Sequence, residues 1–409
     1  MTTNDLQTLV RSLLVDEDEM LTGSDGLTEV TAAVVFSHLA EPGDRFMGAL
    51  QEAVGFGAAL EIVTSGKDFK AAASALPSEA AHELADIFRT DIQILWRNAL
   101  ERWAPRIDQA DILGSLRQAA DLGANVLTRE SVLFPNGIAD LGHGMPAVLW
   151  CKGNSEMLSA EFPVAIVGTR NATRYGAEVC ADLTQTAAEH ELVTVSGGAY
   201  GIDAIVHQAT LNVHGNTVAF LAGGLANLYP KGNLGLLERV AAHGLLVAEQ
   251  PPATTPAKWR FLMRNRLIAA MARGTVVVQA GKTSGALSTA NHAISLDRPV
   301  GVVPGPIDSP HSVGCHDLLN NHPGQVRLIA RPSEILELAG ISVLGASAAP
   351  SLGILERRAL DTFSAGPLES WEVQRLAGLT VRETQIALGS LEQSDHVTRV
   401  GARYVRTTT

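Results

Sequence analysis

The chain has 409 residues and a mass of 43.1 kDa, enough for two or three domains of ordinary size with a sizeable buried core. Hydrophobic residues make up 46% and charged residues 18%, which excludes a disordered tail and a fibrous repeat. The net charge is -12, but its distribution is uneven: residues 1–163 hold 24 acidic and 11 basic side chains, residues 164–340 hold 12 and 13, and residues 351–409 hold 7 and 7.

In chain order, residues 1–95 read as a helical region. Val30 to Leu39 and Phe46 to Val54 are apolar on a helical period and are separated by the turn Glu41-Pro42-Gly43-Asp44. The expectation is a small bundle with a solvated acidic face. No run approaches the roughly 18 consecutive apolar residues of a membrane helix, and Met1 to Asp5 lacks the order of a signal peptide. A cytoplasmic protein without a membrane partner is expected. Cys151, Cys180 and Cys315 are widely spaced and odd in number, so they read as packing residues, with no disulfide framework, metal site or cofactor.

From about residue 120 the texture changes. Ala124–Thr128 and Ala147–Trp150 are short strand candidates, followed by Val164–Val167, Val193–Val195, Thr217–Leu221, Leu245–Ala248, Thr275–Gln279, Val300–Val303 and Val326–Ile329. Helix-period segments fall between most of them. Short β-branched runs without inside/outside alternation predict a parallel sheet covered on both faces, an extended Rossmann-like, doubly wound α/β domain over 96–340. A small-residue linker follows at 341–352. Residues 353–409 then read as three helices, the last opened by a capping box of Thr380 and Glu383, and a hairpin of His396–Val400 and Arg403–Arg406. That pattern predicts a winged helix.

Ligands of doubly wound sheets bind beyond the carboxyl ends of the strands. There the chain places Gly168 and Arg170 with Arg174, then Ser196-Gly197-Gly198, then Lys282-Thr283-Ser284-Gly285 with Thr289. Glycine turns let a backbone approach closely, helix N-termini carry partial positive charge, and Arg, Lys and Ser donate to phosphate oxygens. A dinucleotide fits poorly, because the first turn is not Gly-x-Gly-x-x-Gly and the second strand ends in Ser196 where an acid would hold a ribose. No nucleophile and base stand at a recognisable spacing. Asp203 opens a helix and reads as a cap or dipole partner.

The sharpest local signal is Lys258 to Arg266. Gln250–Leu296 holds no Asp or Glu but carries Lys258, Arg260, Arg264, Arg266, Arg273 and Lys282, six cations without a local counter-charge. On a helix Lys258, Phe261 and Arg264 share one face, where cations neutralise phosphates and the ring stacks a base. Asn265 and Arg266 continue the run. The bland alternative is an amphipathic helix with Phe261 in the core.

Val167-Gly-Thr-Arg170, Ser196-Gly-Gly-Ala-Tyr-Gly-Ile-Asp203, Tyr229-Pro230, Phe261-Leu-Met-Arg-Asn-Arg266, Ser284-Gly-Ala-Leu-Ser-Thr-Ala290 and Pro304-Gly305 occur in the order found in DNA-processing protein A (DprA, or Smf). Over about 120–340 the sequence resembles that family, and the flanking regions resemble its longer members. The resemblance implies a homodimeric, non-catalytic single-stranded DNA-binding protein that protects incoming strands in natural transformation and loads RecA, with Arg170, Lys258, Phe261 and Arg264 on the strand. It departs from the family's pattern at Gln279, where many relatives carry Glu. Two other readings compete. A LOG-like nucleotide phosphoribohydrolase uses a related sheet, but Gly281–Thr289 lacks the acid its motif supplies. A sequence-specific regulator would read duplex through Val381–Glu392, which has one cation and two acids.

Overall fold

The computed structural model describes residues 3–15, 19–65, 68–107, 111–341, 352–394 and 396–407. The chain divides into two compact units, Met1–Ile341 and Ser342–Thr409. The linker expected at 341–352 lies outside the described residues except at its two ends.

Among the described residues the first unit opens with eight helices: α1 (Thr3–Leu13), α2 (Glu19–Thr22), α3 (Ser24–Leu39), α4 (Arg45–Thr64), α5 (Phe69–Ala75), α6 (Ser78–Phe88), α7 (Ile92–Ile107) and α8 (Ile112–Asp121). The helical run thus continues past residue 95. Pro105 falls in the last turn of α7, where its ring can interrupt little further helix. The acidic turn read from sequence starts α4: Asp44 accepts from the amides of Phe46 and Met47 and also holds the Trp103 indole at 3.0 Å. Helix α4 is long and apolar enough to pass for a membrane span by composition, but 44% of that window is buried inside the protein and Gly55 kinks it.

The α/β part follows as β1 (Asn125–Thr128), β2 (Val148–Gly153), β3 (Pro163–Val167), α9 (Arg174–Glu189), β4 (Val193–Ser196), α10 (Ile202–Asn212), β5 (Thr217–Leu221), α11 (Leu234–His243), β6 (Leu245–Ala248), α12 (Lys258–Met271), β7 (Gly274–Val277), α13 (Gly285–Ser295), β8 (Val300–Val302), α14 (Val313–Asn321), β9 (Val326–Leu328) and α15 (Glu334–Leu338). The nine strands line up as β1-β2-β6-β5-β4-β3-β7-β8-β9. From β6 to β9 every pairing is parallel, while β1 and β2 are antiparallel additions at one edge. The fold is therefore mixed α/β with a mostly parallel sheet, as the β-branched runs predicted. Trp96, Trp103, Phe36 and Phe46 of the helical layer share one hydrophobic core with Val148, Trp150, Leu221 and Ala248 of the sheet, so helices and sheet form one body. Strand order reverses between β3 and β7, and that is where a doubly wound sheet opens a crevice.

The second unit holds α16 (Ile354–Asp361), β10 (Leu368–Glu369), α17 (Ser370–Ala377), α18 (Val381–Gln393), β11 (Val397–Val400) and β12 (Arg403–Arg406), with sheet order β10-β12-β11. Thr380 and Glu383 form the predicted capping box, with the Thr380 amide 2.8 Å from Glu383. Ala359, Val373, Leu388 and Val397 are among its core residues.

Candidate nucleic-acid interface

At the switch point the loop after β3, the N-terminal half of α12 and the start of α13 enclose a cavity of about 630 Å³. Helices in this fold run opposite to the strands, so the first turns of α12 and α13 face the crevice. Arg170, Lys258, Phe261, Arg264, Asn265 and Ser284 all line it. The i, i+3 spacing thus does place Lys258, Phe261 and Arg264 on one face, and Arg170 joins them from the loop after β3.

Phe261 anchors the set. The Arg170 guanidinium lies 5.2 Å from its ring centroid and the Tyr229 ring meets it edge-on at 5.7 Å. Tyr229 is 46% exposed, so an aromatic surface remains open to solvent beside two exposed cations, Arg170 and Lys258. Deeper in, Arg264 is 5% exposed; its Nη1 donates to the Phe220 carbonyl at 3.1 Å and its Nε has no partner among the described residues. Burial pushes this guanidinium down to about 10, Asp203 opposing the shift and Arg170 adding to it, so it stays cationic at neutral pH. Gly197 makes that position available: a Cβ there would fall 1.6 Å from Arg264 Nη1. Asn265 ties α12 to α13 through the Gly285 carbonyl at 3.1 Å. Ser284 caps α13 by accepting from the Ala286 amide. Gly168, Gly285 and the buried Thr289 also line it.

Other expected contacts stand elsewhere. Ser196 is fully buried and its Oγ donates at 2.7 Å to the Ile166 carbonyl of the adjacent strand β3, so the hydroxyl is used within the sheet. Gly198 is buried beneath the rim. Arg174 points outward and pairs with Glu178 at 2.7 Å. Lys282 is exposed but outside the cavity lining.

The six cations are not all without counter-charge. Arg266 is buried against Glu249 at 2.6 Å, and Arg260 donates through Nε and Nη2 to Glu41 at 3.1 and 2.8 Å. Nor is the cavity free of carboxyl groups. Asp203 lines it, accepting from the Ala199 amide at 3.4 Å, and burial raises its pKa against the opposing charge of Arg264. The net positive surface is therefore carried by Arg170 and Lys258, with Arg264 partly balanced behind them. Among the lining residues that site prediction passed over are Tyr229 and Asp203. Tyr229 sits in the loop after β5 and Asp203 in the first turn of α10, just past the end of β4, and that nearness to strand ends was the signal available.

The family model for DNA recombination-mediator protein A matches residues 125–339, more than half of the chain. The chain belongs to this family. A Mycobacterium tuberculosis member, provisionally named DNA processing protein DprA, is 39% identical over 355 residues, covering 87% of this chain and 85% of its own. DNA processing protein DprA of Bacillus subtilis is 38% identical over 218 residues, 53% of this chain and 71% of its own. The solved structure of DNA processing protein A from Streptococcus pneumoniae covers 77% of this chain and 98% of that one, with a TM-score of 0.56 at 26% identity.

Proposed function

We propose that the chain binds single-stranded DNA in the switch-point cavity. The observation that carries this reading is the convergence of Arg170, Lys258, Phe261 and Arg264 on one open cavity. Exposed cations neutralise the phosphates, and the Phe261–Tyr229 surface offers a stacking platform that accepts any base. The DNA-processing names carried by its relatives fit the same reading. In it, the protein acts in the cytoplasm as a homodimer that shields incoming strands during transformation and passes them to RecA. The second unit acts as a winged helix, and no bond is made or broken.

Titrating single and double strands at two salt concentrations tests it. Single strands should bind more tightly, and their affinity should fall steeply with salt. Equal affinity for duplex, or indifference to salt, would contradict the reading.

A further inference from the structure

A second cavity, of about 580 Å³, lies on the other flank of α12, between the end of α3, the start of α8 and the loop that follows β6. Its charged groups already have partners. Arg106 and Arg260 both hold Glu41, and Asp111 caps α8 by accepting from the Gly114 amide at 2.8 Å.

Two of its uncharged side chains do not. The carboxamides of Gln118 and Gln250 line the cavity and make no hydrogen bond with any described residue, although Gln250 is only 7% exposed. Ser115 Oγ and His38 Nε2, sealed behind the cavity wall, have no partner among the described residues. The His38 Nδ1 lies 2.9 Å from the Val34 carbonyl, so Nδ1 carries the proton. Burial holds the ring below its usual pKa, leaving Nε2 as a bare acceptor. Buried polar groups are nearly always paired in native proteins. Gln250 departs from that rule at this cavity, with the half-buried carboxamide of Gln118 beside it, and two unpartnered carboxamides on one cavity describe a ligand pocket awaiting its partner groups.

The complement of that lining is uncharged, planar and equipped with both donors and acceptors. A phosphate would meet two arginines offset by Glu41 and Asp111. A nucleobase edge suits carboxamides directly, adenine best, since Gln pairs with its amino group and ring nitrogen. Between the two cavities, Trp259 is exposed at the N-terminus of α12 with the Arg260 guanidinium 5.1 Å from its ring centroid. The helix is about 10 Å across with its side chains, a short path for one strand.

We propose that this cavity is a second subsite, taking one base of a strand that also occupies the switch-point cavity. The inference rests on the single-strand reading above. Full-length protein is titrated with oligo(dA) and oligo(dT) of roughly 15 nucleotides, a length on the scale of one binding site. Gln118→Met and Gln250→Met keep the volume and remove the hydrogen bonds. Each should weaken oligo(dA) binding roughly 10-fold, affect oligo(dT) less, and leave the salt slope unchanged. Arg170→Ala should weaken both oligomers and lower the slope. In the unaltered protein, a strand carrying a photoreactive base should crosslink to residues 114–118 or 250–254. Both Met variants binding like the parent, with crosslinks confined to the first cavity, would mean a water-filled space and overturn the subsite while sparing the first reading. If Arg170→Ala also changed nothing, the first reading would fall too.

Discussion

Arg264 and Arg266 stand two positions apart on α12, are each 5% exposed and come from the same acid-free stretch, yet they face different tasks. Arg266 is closed against Glu249, which also accepts from the Gly43 amide at 3.3 Å. It fastens α12 to the helical layer. Arg264 lines the switch-point cavity, which Arg266 does not, and is balanced only in part by Asp203. A helix turns about 100° per residue, so a two-residue step carries one guanidinium to the ligand side and the other to the packing side. Charge counted along a segment therefore overstates the field it offers a ligand. What counts is which partners the fold delivers.

Breaking the packing side should cost most. Glu249→Ala leaves the Arg266 charge buried and unpaired, which is expected to lower stability by about 3–5 kcal/mol, read by chemical denaturation. An unchanged midpoint would show that the pair does not hold α12.

Beneath Arg264, His207 is fully buried with Nδ1 2.8 Å from Thr217 Oγ1. Burial first, and then the charge of Arg264, push it down to about 3. Its folded pKa lies below the unfolded value of about 6.5, so its contribution is complete above that pH and is lost as pH falls toward 3. Asp203, raised by burial, has the opposite slope and loses its contribution as pH rises. Stability should drop between pH 7 and pH 4, with His207 accounting for on the order of 3 kcal/mol. His207→Leu should flatten the profile; an unaltered profile would place the titration elsewhere.

On the ligand side, Phe261→Ala should weaken single-strand binding by roughly 1–3 kcal/mol with little change in salt slope, because stacking carries no charge. A full loss of salt dependence would assign Phe261 a different role. The smallest effect is expected at Arg260. Held by Glu41, its replacement by Ala should leave the salt slope of strand binding within error, and a clear fall would show that it reaches a phosphate.

Much of this was legible in the sequence. The β-branched runs located the strands, and the i, i+3 spacing placed Lys258, Phe261 and Arg264 together. The pairings of Arg260 and Arg266 were not. Glu41 is 219 residues from Arg260, and Glu249 falls one position before the acid-free stretch begins. Local charge patterning cannot see either partner. Ser196 misled for a similar reason: a hydroxyl at a strand end reads as a phosphate donor, but the carbonyl it meets is supplied by the neighbouring strand β3, 30 residues away.

The central claim is that Arg170 and Lys258 supply the exposed charge that meets the strand. The most direct measurement is the salt dependence of single-strand affinity in the Arg170→Ala, Lys258→Ala double variant. Two lost phosphate contacts should lower the slope of log affinity against log salt by about 2, equally for all base compositions. A slope identical to the parent's would contradict the account.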